Sequence, residues 1–161
     1  MRMGKFGVLG EIARRDAPPL ADSNLRAIQS SLSDDETPIA IAMVGRVWFD
    51  GVKMDVAPKP IGIFESRPAP IIVLTNRFLH FYLVGSQKGL KYVAGDVHVT
   101  KRSLDIDSLI GEEKTGIGSY VLSFSEGTEV LIKFGVLSDR RVRQGVDHLQ
   151  ILLRDRLNRS M

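Results

Sequence analysis

The sequence predicts a mainly β fold: an antiparallel barrel or sandwich of about seven strands, capped by one C-terminal α-helix, with a helical extension in front. Three observations carry this expectation. Short β-type runs follow one another from residue 39 to residue 134 with no helical pattern between them, and such spacing implies antiparallel pairing. The stretch 138–157 changes period, placing Val142, Val146, Leu149, Leu153 and Leu157 three or four residues apart on one helical face. Finally, 161 residues with 43% apolar and 25% charged side chains suit one globular domain plus a short extension. A domain of that size buries roughly 70% of its unfolded surface and needs no covalent staple.

Residues 1–36 read as the helical extension. Met3, Phe6, Leu9 and Ile12 recur every third position, yet Gly4, Gly7 and Gly10 interrupt them. Each glycine costs about 1 kcal/mol of helix propensity, which argues against a membrane-surface helix and for a mobile or partner-docked segment. Asp16-Ala-Pro-Pro19 breaks the segment, because proline cannot continue a helix. Asp22 or Ser23 then caps a short helix with Leu25, Ile28 and Leu32 on one face, closed by Asp34-Asp-Glu36 and Pro38. No apolar run approaches the roughly 18–20 residues of a membrane span, and no secretory signal is expected.

Residues 37–161 form the β domain with its helix. Ile39, Ile41, Met43, Val47 and Phe49 predict a strand, or a bent strand pair, interrupted at Gly45. A Gly/Pro-rich section follows, with Ile61–Phe64 as a short strand inside it. Ile71–Leu74 and Phe78–Val84 are the strongest hairpin, with Asn76 suited to a left-handed turn position. Leu90–Ala94, Val97–Val99, Leu104–Leu109, Gly118–Ser125 and Thr128–Phe134 complete the strands, the last two joined across Glu126-Gly127. Ser138 caps the final helix, Ile151 and Leu152 widen its apolar stripe, and Arg154, Arg156 and Arg159 complement its C-terminal dipole.

A β meander closed by one amphipathic helix resembles the pleckstrin-homology-like barrel. The resemblance is sharpest at Ile71-Ile-Val-Leu-Thr-Asn-Arg-Phe-Leu-His-Phe-Tyr82. Here Leu74, Thr75, Asn76, Arg77 and Leu79 match the hairpin of bacterial PH-like and GRAM-type domains. It spans roughly residues 37–158 and implies the barrel fold. The phosphoinositide motif of that family sets a Lys and a later Arg-x-Arg on the first hairpin. This chain has Arg46, Lys53, Lys59 and Arg67 there, interleaved with acids and without Arg-x-Arg.

Most catalytic chemistry lacks its residues. The absence of cysteine removes disulfides, thiolate nucleophiles, Fe–S clusters and cysteine zinc sites, and fits a reducing compartment. His80, His98 and His148 have no metal-ligand spacing; His80 is expected in the barrel wall or core and His148 in solvent. Gly116-Ile-Gly-Ser119 lacks the lysine and helix of a phosphate loop and reads as an inter-strand turn. There is no G-x-S-x-G elbow, and no serine has a histidine or carboxylate partner suggested by spacing. Asp105 and Asp107 alternate with Leu104 and Ile106, as on the polar face of a half-buried strand. No metal, cofactor or enzymatic activity is expected.

Two function classes remain. The first is a non-catalytic interaction module that binds a protein partner or self-associates through a sheet edge or helix groove. The second is peripheral binding to anionic phospholipid headgroups. Its candidate anion or lipid rim is Lys53, Lys59, Arg77, Lys88 and Lys91. Each near-surface cation contributes about 1 kcal/mol toward an anionic membrane. Nucleic acid is not an expected partner, because the formal charge is only +3 and no stacking platform is visible. The expected location is the cytoplasm, or the inner face of the membrane under the second reading.

Overall fold

The computed structural model describes residues 7–18, 20, 22–54, 70–86, 97–134 and 140–159. Helices α1 (Gly7–Asp16) and α2 (Asp22–Ser31) come first. They are followed by β1 (Pro38–Met43), β2 (Arg46–Phe49), β3 (Val52–Lys53), β4 (Pro70–Thr75) and β5 (Phe78–Ser86). Then come β6 (Val97–Asp105), a 3₁₀ turn (Ile106–Ser108), β7 (Leu109–Gly116), β8 (Ser119–Phe124), β9 (Glu129–Lys133) and α3 (Arg140–Arg159). The expected strands at 61–64 and 90–94, and the Ser138 cap, lie outside the described residues.

The strands form two antiparallel sheets, β1-β4-β5-β6 and β3-β2-β9-β8-β7. The fold is therefore mainly β with a C-terminal helix. Among the described residues the two sheets do not close into a hydrogen-bonded barrel, and there are nine strands, not seven. The extra count has a local cause. At Val44-Gly45 one bent ribbon passes from the first sheet to the second and is split into β1 and β2. Val44 N–H donates to the Pro70 carbonyl (3.1 Å) and Gly45 N–H to the Lys133 carbonyl (2.8 Å). β3 is only a two-residue return, reached through Asp50 and Gly51, both at positive φ (51° and 84°). Glycine adopts that conformation freely, and Asp is among the few side chains that tolerate it.

Strand alternation distributes the apolar residues between two cores. Between the sheets, Ala40, Ala42, Ile72, Leu74, Leu79 and Phe81 meet Val47, Phe49, Tyr120, Leu122, Val130 and Ile132. Phe49 and Phe81 bridge the sheets edge to face at 5.0 Å, a favoured aromatic geometry. Val146, Leu149 and Leu153 of α3 pack onto this core. On the outer face of the four-stranded sheet, Ile41, Ile71, Val73 and Tyr82 are covered by Leu9 and Ile12 of α1 and by Leu25 and Ile28 of α2. That sheet is buried on both faces, so Ile71–Leu74 reads as a continuous apolar run without alternation. The extension thus docks on its own sheet.

The end of α1 also reaches α3. A Cβ on Gly145 would lie 2.3 Å from the Asp16 carbonyl oxygen, so glycine is what permits this approach. The buried Asp16 carboxylate lies 3.1 Å from the Arg15 guanidinium and 3.1 Å from His148 Nδ1. His148 is accordingly only part-exposed, not free in solvent as expected. On the open face of the five-stranded sheet, Trp48 is half-buried, with Lys133 Nζ 5.3 Å above its ring.

Three further expectations change. Asp105 and Asp107 do not share a strand face. Asp105 ends β6 and its Oδ1 accepts from the Asp107 N–H (2.9 Å), capping the 3₁₀ turn, while Asp107 pairs with Arg156. Asn76 is not left-handed: its Oδ1 accepts from Thr37 N–H (2.7 Å) and its amide reaches the Asp35 carbonyl (3.3 Å). The amide side chain ties the hairpin to the segment before β1. Ile151 is exposed and does not extend the buried stripe of α3, whereas Leu152 is partly buried.

Candidate functional site

The structure does not gather the expected cationic rim. Lys53 is exposed on β3 in the five-stranded sheet, where its partner in register is Trp48. Arg77 lies in the β4–β5 turn at the other sheet, paired with Asp35 and stacked 5.4 Å from the centre of the Phe78 ring. Lys59, Lys88 and Lys91 lie outside the described residues.

A polar cluster forms instead on the helix-covered face of the four-stranded sheet. Thr75 on β4, His80 on β5 and Ser103 on β6 project from that face, with His80 and Ser103 directly opposed in register. The segment after α2 lowers Glu36 onto them. Glu36 Oε1 lies 2.6 Å from His80 Nε2 and accepts from the Thr75 hydroxyl at 2.9 Å. Its Oε2 accepts from both the N–H (2.9 Å) and the hydroxyl (2.8 Å) of Ser33. On the other side of the ring, His80 Nδ1 lies 2.6 Å from Ser103 Oγ. The His80 and Glu36 side chains are only 2% and 3% exposed, whereas Ser103 faces solvent.

Burial pushes the Glu36 carboxyl up, but hydrogen bonds from Ser33, His80 and Thr75 outweigh it and hold the group at about 2. Burial lowers His80 below the ordinary imidazole value; the bond to Glu36 opposes this and the charge of Lys101 reinforces it. The tautomer follows. An ionised carboxylate only accepts, so Nε2 carries the proton toward Glu36 and Nδ1 accepts from the Ser103 hydroxyl. Lys101, two residues before Ser103 on the same strand face, donates to the Ser31 carbonyl (2.8 Å) and lies 5.7 Å from the centre of the Tyr82 ring. Burial raises Tyr82 to about 12, so its hydroxyl stays protonated beside Ser31 Oγ (2.7 Å).

Sequence reasoning singled out His80 but missed both partners, which lie 23 and 44 residues away in the chain. The usable signal was the strand register: once β5 and β6 pair, His80 and Ser103 fall opposite each other.

A second feature runs along β7. This strand ends the five-stranded sheet and, among the described residues, pairs only with β8. Beside it, α3 and the β7–β8 turn bound a cavity of about 420 Å³ lined by Lys114, Ile117, Phe134, Arg143, Asp147 and Gln150. Gln150 is 8% exposed, and its Nε2 has no hydrogen-bond partner among the described residues. Ile110 and Ile117 at the two ends of β7 are exposed. Arg154 of α3 pairs with Glu112 at 3.4 Å and holds the helix against the strand. The Gly116–Ser119 segment is an inter-strand turn with Gly118 at φ 74°, as expected, and no cluster of metal-ligating side chains occurs among the described residues.

The sequence matches no protein-family model, and no curated protein is a detectable relative.

Proposed function

We propose that the protein is an interaction module built on a PH-like sandwich, and that the β7 edge with its neighbouring α3 groove receives an extended segment of a partner protein. The strand order supports the PH-like reading. A bent first strand serves both sheets, a meander runs from β4 to β9, and one helix packs against the inter-sheet core. The observation that carries the functional reading is the buried amide of Gln150, unpaired among the described residues, in a groove beside an edge strand. An edge strand offers a row of backbone donors and acceptors to an added strand. A buried amide without a partner costs about 1–3 kcal/mol, which a bound peptide carbonyl would recover.

Peptide-library selection against the whole chain tests this. Enriched peptides should lose binding in Ile117→Asp and keep it in Lys53→Ala. Equal binding to both variants would place the interaction elsewhere. Light scattering that shows mass rising with concentration, abolished by Ile117→Asp, would identify the partner as a second copy. Binding to anionic vesicles that weakens with salt and is lost in Lys53→Ala would instead support headgroup recognition.

A further inference from the structure

The Ser103–His80–Glu36 chain lies on the four-stranded sheet, outside the β7 groove, and the interaction reading does not use it. We infer that Ser103 is a nucleophile, activated by His80 and positioned through Glu36, that accepts the acyl group of an activated carboxylic ester. The arrangement has the three parts that nucleophilic catalysis needs: a hydroxyl within hydrogen-bond reach of a base, and a base oriented by a third group. Ser103 Oγ is 2.6 Å from His80 Nδ1, and His80 Nε2 is 2.6 Å from Glu36 Oε1. The nucleophile is exposed on β6, which ends its sheet among the described residues, while the base and the carboxylate are buried. Two Ser33 bonds and one from Thr75 hold the carboxylate in place, and its contact with Nε2 fixes the ring with Nδ1 toward Ser103.

The chemistry balances within these groups. Ser103 Oγ attacks the acyl carbon and its proton passes to His80 Nδ1. Glu36 stabilises the imidazolium that forms. The bond from the acyl carbon to the leaving oxygen breaks, and that oxygen takes the proton from Nδ1. Water, losing a proton to the same nitrogen, then attacks the acyl carbon; the bond to Ser103 Oγ breaks, Oγ takes that proton back, and the carboxylic acid leaves. Lys101 stands on the same strand face and adds positive potential beside His80. Among the described residues, the charged and titratable groups facing His80 are thus Glu36 from the α2–β1 segment, Lys101 from β6 and the neutral Tyr82 of β5.

The chain has no cysteine, so Ser103→Cys introduces a single thiol at an exposed position. Its alkylation by iodoacetamide should show a midpoint at least one pH unit below the ordinary thiol value of about 8.5, because the imidazole stabilises the thiolate. In the same background Glu36→Gln should raise that midpoint, a readout that a purely structural carboxylate would leave unmoved. With the unaltered chain, p-nitrophenyl acetate should give an acetylated peptide containing Ser103, and Ser103→Ala should remove it. A thiol midpoint less than one pH unit below about 8.5 overturns the inference, as does the absence of acetyl-Ser103 together with nitrophenol release that Ser103→Ala leaves unchanged. An unchanged midpoint in Glu36→Gln overturns the role given to Glu36.

Discussion

A single missing atom decides one of the contacts that hold the extension in place. Gly145 has no Cβ, and the Asp16 carbonyl fills the space that one would take. Gly145→Ala forces α1 away from α3 or bends the backbone of both, and overpacking of this kind costs about 1–3 kcal/mol. A lower urea midpoint with an unchanged slope would show it; an unchanged midpoint would mean that the helix ends part freely. The same scale explains what the sequence did and did not disclose. The turn at Gly118 is legible because it needs positive φ. Asn76 was misread because its amide works at a distance, on Thr37 and Asp35, which no local rule reports. Ser103 looks like an ordinary polar residue until the register of β5 and β6 is known, and Glu36 until the α2–β1 segment folds over His80.

At the scale of elements, the hairpin β4–β5 and the helix α3 were legible since each carries its own period and punctuation. The 3₁₀ turn at 106–108 was not, because Leu104–Leu109 alternates as a strand would and only Asp105 capping diverts it. Nor did the extension reveal that it covers a sheet. The clue lay in Ile71–Leu74, apolar on both faces, and its meaning depends on a segment more than forty residues away. Ile28 of α2 is fully buried against that outer face. Ile28→Ala should therefore destabilise by about 2–5 kcal/mol, as for a core residue and not a peripheral helix. Urea denaturation followed by circular dichroism measures it. A loss below about 0.5 kcal/mol, ordinary for surface substitutions, would mean that α2 lies on the sheet without supporting it.

For the molecule as a whole, the buried Glu36–His80 pair sets a pH dependence. Glu36 sits at about 2 in the folded chain against an ordinary 4.5. Its contribution, about 3 kcal/mol at full size, is complete above pH 4.5 and disappears as pH falls toward 2. His80 is held below its ordinary 6.5, so the unfolded chain takes up that proton first and stability declines as pH drops below 6.5. Both slopes have the same sign. Urea midpoints measured at pH 7.5, 5.5 and 4 should fall in that order, and Glu36→Gln should flatten the lower part of the curve. A midpoint that rises on acidification would contradict the protonation states assigned to the pair.

The bent ribbon has a spectroscopic consequence. Trp48 is the chain's one tryptophan, and it sits on β2 just past the corner at Val44-Gly45, paired in register with Leu131 of β9. Its indole lies on the face of the five-stranded sheet, away from α1 and α2, which cover the other sheet. Its emission therefore reports on the strand that joins the two sheets and is blind to release of the extension. Tyr82, beneath α2, stands where the opposite event takes place. A fall in helical ellipticity with Trp48 emission unmoved would mark undocking and fraying of the helices, and a shift of that emission would mark loss of the sandwich, with no label attached.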